Sequence, residues 1–517
     1  MMLTVGMAVP AAAQGAGDAV IRDVGPDYNA GKALPLREPS APASRRGDAA
    51  GGEQPGRTPE VGTVRAWPAL DDARGEVSFK DFTLRAVGEH TEVWVANDLS
   101  FPAGDCRSGE RTVVTDDQAR YLAGEFDGRI YPRESEAFSV PPPRDGSRPT
   151  VGGFPAGAFS GEGEDIVTLV DNVRDDNFYD RDNARDLTYI AGFFFSVFSR
   201  AVDRNVMTID AFDRLHRTGA SPPNRPAPGD RCTNAPARPF LYESVFAHEY
   251  QHLLEDAEDP DEAVWVNEGL SDWAQTLTGY VDPRRPITDQ DFDSHVQCFL
   301  GYLGVQTPAN PSPRLAGGPE NSLTRWGDEG DDEILCDYGA AYTVMEVLAG
   351  RYGASVMTAL HRLDENGFAG LARALEQRGA RATPASIVRD WAATIALDGV
   401  LDRGAELLGR GARLLRTPTL DASVNWATPE AYASPGAPPN GSDYVRLRDE
   451  AGEPSTRASC APCASMAPRR SSPTRWPGRS TRAQRAARKT PPSTRARDRT
   501  STAPSCARSP CPPRTPP

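Results

Sequence analysis

The sequence predicts an α+β fold of two lobes, with a mixed sheet first, helices after it and disordered tails at the ends. Three observations support this prediction. Stretches with the two-residue alternation of strands are concentrated between residues 77 and 210, whereas most stretches with helical periodicity follow residue 240. The two ends of the chain show neither pattern. Strands that precede helices in this way are typical of α+β proteins, in which the helices segregate from the sheet.

The first 76 residues are predicted to lie outside the folded body. Residues 1–13 contain a short apolar run and end in three alanines before Gln14, which is typical of what remains of a secretory signal peptide, although a positively charged start is missing. Residues 14–76 are rich in Gly, Ala, Pro, Arg and acidic side chains, so we expect a disordered pro-segment or linker. We therefore expect a secreted, extracellular protein.

Residues 77–260 are predicted to form an N-terminal α/β subdomain. A helix is expected at 116–126, ending near Asp127 and Gly128, and a loop at 141–155. The predicted strands are 76–87, its hairpin partner 91–96, and the apolar runs 165–171, 188–196 and 205–210. An exposed edge strand of such a sheet could bind an extended peptide by strand addition.

Residues 261–400 are predicted to form a helical C-terminal subdomain. Its later helices are expected at 338–350, 354–363, 368–378 and 384–397, separated by Gly350, Gly353 and the pair Thr383–Pro384. Residues 401–455 begin with a helical pattern and continue as a Pro/Gly linker. They end in the first strand of a truncated β-module, which starts at Asp443.

The last 62 residues, 456–517, have a different composition from the rest. They contain no Ile, Leu, Val, Phe or Tyr, and their net charge is +13, so they cannot bury a core and are predicted to be a basic disordered tail. Such a tail could bind nucleic acid or an anionic surface. We favour the interpretation that a frame slip in a GC-rich gene produced this tail and cut off a C-terminal β-module. The whole chain carries −15, so residues 1–455 carry −28. This acidic body argues against nucleic acid as its partner.

Eight cysteines divide evenly between the body and the tail. The body has Cys106, Cys232, Cys298 and Cys336, and an even number in an exported protein predicts two disulfides. Pairing Cys106 with Cys232 and Cys298 with Cys336 is one of three possible connectivities. No stretch approaches 18 consecutive apolar residues, so no transmembrane helix is expected.

The strongest chemical signal is the segment His248-Glu249-Tyr250-Gln251-His252. On a helix, residues four apart lie on one face, so the two imidazoles can bind one ion. Two such nitrogens, a carboxylate and an open fourth position make a catalytic zinc site, and Glu249 can hold the water in that position. We therefore predict Zn²⁺ as the cofactor.

A third ligand is expected from the segment after this helix. Glu268 follows the apolar residues Val264, Trp265 and Val266, and Asp272 lies one helical turn after it. Asp272 is placed to accept a hydrogen bond from the other ring nitrogen of a ligand His, as the carboxylates behind such ligands do. Glu268 is therefore the predicted third metal ligand, and Asp272 the residue that orients His248.

The motif pair HEYQH and WVNEGLSDW resembles the gluzincins, zinc metallopeptidases whose third ligand is a Glu on a later helix. The spacing N-E-x-x-S-D is similar to that of thermolysin-like peptidases. The sequence of the two motifs as a whole resembles secreted bacterial peptidases of the hyicolysin type. The resemblance implies a zincin-like catalytic domain, with the mixed sheet and active-site helix in one lobe and helices in the other. Glu258 falls at the third-ligand spacing of the metzincins and remains an alternative to Glu268.

The resemblance also implies a side chain from the helical lobe that stabilises the oxyanion. Tyr338 is our candidate, because it stands in a Tyr…Gly-Ala…Leu helix like that of these enzymes. Tyr342, His295 and His361 remain alternatives for the same role.

We therefore expect a secreted zinc metalloendopeptidase that acts on protein or peptide substrates as a monomer, with Glu249 as general base. The alternative is a non-catalytic zinc protein of the cell surface, such as an adhesion module with a vestigial site. A structural binder that acts through the basic tail is a further rival. An acidic loop at 175–186 could in addition hold a structural Ca²⁺.

Overall fold

The computed structural model describes residues 57–179, 190–227, 230, 232–287, 293–302, 318–327, 334–398, 417–422, 424–425, 439–442 and 444, and the backbone of 20–21, 188–189 and 399–404. The predicted signal remnant, residues 14–19 and 22–56 of the predicted pro-segment, and the basic tail lie outside these residues. Most of the acidic loop's candidate Ca²⁺ ligands, and the strand expected from Asp443, lie outside them too.

A mixed sheet of six strands is the centre of the described chain. Its strands are β1 (Val64–Asp71), β2 (Glu76–Val87), β3 (Thr91–Ala96), β4 (Ile166–Asp171), β5 (Gly192–Phe193) and β6 (Asn205–Asp210). Their order across the sheet is β1-β2-β3-β4-β6-β5. The pairs β1–β2, β2–β3 and β5–β6 are antiparallel, and β3–β4 and β4–β6 are parallel. The short β5 is therefore an edge strand of the described sheet.

The sheet begins earlier in the chain than the sequence indicated. Strand β1 lies within the range 14–76 that we expected to be disordered or linker, and Trp67 on it is fully buried. Its apolar residues run together from Ala66 to Leu70 and one position is Pro68, so its alternation is weak. Pairing with β2 along the full length of β1 supplies the hydrogen bonds that the local pattern did not reveal.

The described helices confirm most of the predicted ones. They are α1 (Asp116–Glu125), α2 (Tyr131–Ala137), α3 (Asp176–Tyr179), α4 (Ser196–Val202), α5 (Arg214–Arg217), α6 (Leu241–Glu258), α7 (Val264–Thr278), α8 (Ser294–Phe299), α9 (Ile334–Tyr352), α10 (Ser355–His361), α11 (Gly367–Gln377) and α12 (Pro384–Gly404). Thus the described residues have a mixed α+β fold, as predicted.

Two of the local predictions differ from the structure. We expected a helix to end near Asp127 and Gly128, but five residues of π-helix, Phe126–Ile130, join α1 to α2 there. Burial of Phe126 and Ile130 outweighs the cost of a glycine inside the helix. The single strand expected at 188–196 is instead two short strands, Thr188–Tyr189 and β5, followed by α4.

Each face of the sheet covers a hydrophobic core. In β3, Val93 and Val95 face the larger core, whereas Trp94 between them faces the smaller one. This alternation is the period of a strand. The larger core continues through α1, α6, α7 and α9, so α6 has apolar contacts on nearly all sides. Every residue of α6 from Leu241 to Glu255 is buried.

Two disulfides stabilise the described chain, Cys106–Cys232 and Cys298–Cys336. They correspond to one of the three predicted connectivities, and they are compatible with an extracellular protein. The second disulfide joins α8 to α9. Among the described residues, every helix is too short or too polar to cross a lipid bilayer.

Candidate metal centre

Helix α6 places His248 and His252 one turn apart, with both rings directed at the same point. Their Nε2 atoms are 3.0 Å apart, and the side chains are only 5% and 3% exposed. A helix brings residues i and i+4 to one face, so the sequence spacing alone produces this approach. The first two predicted ligands are therefore adjacent in the structure.

Helix α7 supplies the third predicted ligand. The Oε2 atom of Glu268 lies 3.4 Å from Nε2 of His248 and 3.3 Å from Nε2 of His252. Bonds of about 2.0–2.1 Å from one tetrahedral ion would set its ligand atoms about 3.3 Å apart. The three residues form a group that could hold a metal ion. The dimensions of the triangle are those that a zinc-sized ion requires.

The hydrogen bonds behind the two rings decide where their protons lie. Nδ1 of His248 is 3.0 Å from Oδ1 of Asp272, and Nδ1 of His252 is 2.7 Å from Oδ1 of Asn267. Both partners are acceptors, so each Nδ1 carries the proton and each Nε2 presents a lone pair. Two lone pairs and a carboxylate oxygen then converge on one buried point. Such an arrangement is repulsive unless a cation occupies it.

The environment of Glu268 supports the same conclusion. Its side chain is fully buried, and neither carboxylate oxygen has a hydrogen-bond partner within the described part of the chain. A buried carboxylate without donors is costly, and coordination of a metal would remove that cost. The donor set of two imidazoles and one carboxylate is typical of catalytic zinc.

Asp272 is ionised in this environment. Burial alone would raise its pKa, but the charge of His295 and hydrogen bonds from His248 and His295 outweigh burial and lower the pKa to about 2. Gln275 also donates to Oδ1 of Asp272, at 2.8 Å. The structure thus brings Asp272 to His248, as the sequence suggested.

Close packing of α7 on α9 sets the position of Glu268. A Cβ atom on the next residue, Gly269, would lie 3.0 Å from the backbone oxygen of Ala341 and 2.9 Å from the side chain of Met345. Trp265, two residues before Asn267, is buried in the larger core. The glycine permits the approach and the tryptophan fixes the rotation of the helix, so Glu268 points toward α6.

A cleft of about 650 Å³ opens beside the two histidines. Its walls include His248 and Glu249 from α6, Gly192 from the edge strand β5 and His295 from α8. A Cβ atom at Gly192 would lie 2.5 Å from Val245 and 3.2 Å from the side chain of Glu249. Glycine therefore lets β5 pass close over α6, next to the side chain of Glu249.

The residues considered for the oxyanion have different positions. His295 lines the cleft, and its Nδ1 is 3.3 Å from Oδ2 of Asp272. Its Nε2 is buried and has no hydrogen-bond partner among the described residues. Tyr338 is fully buried behind it, with the two rings stacked at 4.7 Å, and is not among the described residues that line the cleft. Because Asp272 contacts both His248 and His295, it links the two histidines.

Three alternative residues lie away from the ligand triangle. Glu258 is exposed at the end of α6. The hydroxyl of Tyr342 is 2.5 Å from Oγ1 of Thr276, and His361 is held by Glu255 and Ser139. The metal group of the described chain contains Glu268 and not Glu258.

The acidic loop can be described only in part. The two carboxylate oxygens of Asp175 accept hydrogen bonds from the backbone N–H groups of Phe178 and Ile190, at 2.7 and 2.9 Å. Burial raises the pKa of Asp175 to about 7. The Ca²⁺ prediction depends on residues of the loop that lie outside the described ones.

Two residues of the site were not identified from the sequence. Asn267 accepts a hydrogen bond from His252, and Oγ of Ser271 lies 3.0 Å from the same nitrogen. They flank Glu268 and lie four residues apart, so they share a helix face. That spacing was the signal in the sequence from which they could have been identified.

No protein-family model and no curated protein matches the chain.

Proposed function

We propose that this chain is a zinc metalloendopeptidase of the gluzincin type, with a zincin-like domain whose cleft lies between the sheet and the helices. The observation that carries the proposal is the triangle of Nε2, Nε2 and Oε2 atoms from His248, His252 and Glu268. Zinc held by these residues would polarise a carbonyl oxygen and lower the pKa of a bound water to about 7.

Glu249 is the general base in this proposal. It lies between the two histidine ligands in sequence, is 1% exposed and lines the cleft. In that position it takes the proton of the attacking water and passes it to the leaving amine.

His295 is the group that we now favour for the oxyanion, in place of Tyr338. His295 borders the cleft, and Asp272 holds its Nδ1. Burial lowers the pKa of His295, but the charge and hydrogen bond of Asp272 outweigh it and raise the pKa above the usual value, which favours a proton on Nε2. A hydrogen-bond donor directed at the negative charge that develops in the transition state commonly lowers the activation barrier by a large amount.

An extended peptide fits the edge of the sheet. Strand β5 is an edge strand of the described sheet and Gly192 on it borders the cleft. A peptide that pairs with this edge would lie across Glu249 and the metal ligands, with its backbone held by strand addition. This placement supports cleavage inside a chain. The two disulfides suit a secreted enzyme.

The test is hydrolysis of casein by the purified chain, before and after removal of metal by a chelator and after addition of zinc. We expect activity that chelation abolishes and zinc restores. Glu249→Gln is expected to retain zinc and lose turnover, because it removes the base and no ligand. Glu258→Gln is the matched control, since Glu258 is an exposed glutamate on the same helix.

Two results would contradict the proposal. Zinc binding without hydrolysis of any peptide substrate would favour the non-catalytic alternative. Loss of zinc from Glu249→Gln would contradict the role of Glu249 as a base.

A further inference from the structure

A chain of buried hydrogen bonds leads from the metal ligand His252 away from the cleft. Oγ of Ser271 lies 3.0 Å from Nδ1 of His252 and donates to Oε1 of Gln251 at 2.5 Å. Nε2 of Gln251 in turn donates to Oε2 of Glu255 at 2.9 Å. Ser271, Gln251 and Glu255 are 0%, 0% and 0% exposed. These three side chains therefore connect the ligand to a carboxylate one turn further along α6.

The chain continues beyond Glu255 to another part of the fold. Nδ1 of His361, at the end of α10, is 2.5 Å from the same Oε2 atom. Nε2 of His361 is 2.8 Å from Oγ of Ser139, which is half-buried in the segment that follows α2. Glu255 and His361 are fully buried. Ser139 is thus the outer end of the chain.

The directions of these hydrogen bonds are consistent along the whole chain. On one side, the Nδ1–H group of His252 is shared between Asn267 and Ser271, Ser271 donates to Gln251, and Gln251 donates to Glu255. On the other side, Ser139 donates to His361 and His361 to Glu255. Both sides end on one acceptor, the Glu255 carboxylate, whose charge orients every dipole in the series.

We propose that Glu255 is a positioning residue of the metal site, which acts on His252 through Gln251 and Ser271 and is itself held by His361 and Ser139. The inference rests on the proposed zinc site. Partners behind a ligand histidine fix its ring and raise its basicity. Polarised chains of hydrogen bonds strengthen one another where the local dielectric constant is low. Asn267 accepts directly from His252, and the chain to Glu255 adds a charge to that interaction.

The experiment measures the Kd for zinc by competition with a chelating dye, on the full chain. The variants are Glu255→Gln, Ser271→Ala and the double variant. We expect each single substitution to weaken zinc binding about tenfold, the lower end of the range for residues behind a ligand. The double variant is expected to bind zinc about as well as the weaker single variant, because both changes interrupt the same path.

Two further measurements separate positioning from stability. The visible spectrum of the Co²⁺-substituted protein is expected to shift in Glu255→Gln, because the ring of His252 turns. Glu92→Gln is the matched control, since Glu92 on β3 is a fully buried carboxylate that pairs at 2.7 Å with Arg204, the residue before β6. It is expected to lower the Tm and leave the zinc Kd unchanged. Ser139→Ala changes a half-buried position at the outer end of the chain, so it can replace Glu255→Gln if that variant does not fold. It should weaken zinc binding by less than Glu255→Gln does.

The proposal is overturned if Glu255→Gln and Ser271→Ala bind zinc as the parent does, or if their losses multiply in the double variant. The contacts from Ser139 to His361 and from His361 to Glu255 are also those of a serine–histidine–carboxylate triad, in which the serine is the nucleophile. Labelling of Ser139 by a fluorophosphonate in metal-free protein would overturn the positioning role in favour of a separate site. Parent protein that binds zinc but cleaves no peptide would contradict only the proposed function. Parent protein that binds no zinc would contradict both.

Discussion

Oε2 of Glu268 lies 3.3 Å from Nε2 of His252, although the two residues belong to different helices. Neither oxygen of Glu268 has a hydrogen-bond partner in the described part of the chain, and the lone pair on Nε2 of His252 repels the carboxylate. Such a carboxylate is expected to depend on a metal for its stability, and the metal on the carboxylate.

Glu268→Gln is therefore expected to lose zinc. The substitution keeps the shape of the side chain but removes the negative charge, so affinity should fall by more than about 100-fold, the upper range for residues behind the direct ligands. Elemental analysis after dialysis measures the zinc content. The parent should hold about one zinc per chain, as a single site with three protein ligands implies. Zinc retained at the parent level in Glu268→Gln would show that another residue is the third ligand.

His295→Ala and Tyr338→Phe separate the two candidates for the oxyanion. Because His295 borders the cleft and Tyr338 is stacked behind it, we expect His295→Ala to lower kcat by about 100- to 1,000-fold, the usual effect of losing one such donor. The zinc content should stay unchanged. Tyr338→Phe removes only a hydroxyl and should have a small effect. A large loss of kcat in Tyr338→Phe, with His295→Ala near normal, would restore the role predicted from the sequence.

The candidate metal ligands on α6 could be predicted because their approach depends on local geometry. His248 and His252 are one helical turn apart, and Asp272 is one turn from Glu268, so both spacings determine a helix face before any tertiary structure is known. The sheet was predictable where a strand alternates clearly, as in β2, or is a short run of β-branched and aromatic residues, as in β3. Strand β1 was missed because its burial depends on pairing with β2, which a weak local pattern does not reveal.

Contacts between residues that lie far apart in the chain could not be predicted from the sequence. His295 reaches Asp272 because α8 and α7 both pack on α9, and His361 reaches Glu255 across 106 residues of sequence. Neither residue stands in a motif. Their positions come from packing, which no spacing in the chain encodes, and for this reason the sequence favoured Tyr338 over His295.

The disulfide Cys298–Cys336 fixes the helix that carries His295. Cys298 is three residues after His295 on α8, and Cys336 is two residues before Tyr338 on α9. Replacing both cysteines by alanine is expected to lower the free energy of unfolding by about 2–4 kcal/mol, and to lower kcat while zinc stays bound. Urea unfolding and kinetics on one preparation measure both effects. Unchanged kcat in a destabilised variant would show that α8 is positioned without the disulfide.

Glu346 is a buried carboxyl group on α9 that no part of the proposed mechanism uses. Its side chain is 1% exposed. Burial raises its pKa to about 8, against smaller effects of Thr276, Thr419 and Arg284 that lower it. The folded state therefore keeps a proton on Glu346 that the unfolded state has already released at pH values between 4.5 and about 8.

This difference predicts how stability changes with pH. As the pH rises through that window, the folded state loses about 1.4 kcal/mol of stability per pH unit from this one group. Glu346→Gln has no proton to lose, so its advantage over the parent should be absent near pH 4.5 and grow up to about pH 8. Urea unfolding of both proteins at several pH values measures the difference, in which the other titrating groups cancel. A difference that is constant with pH would mean that Glu346 is ionised in the folded protein.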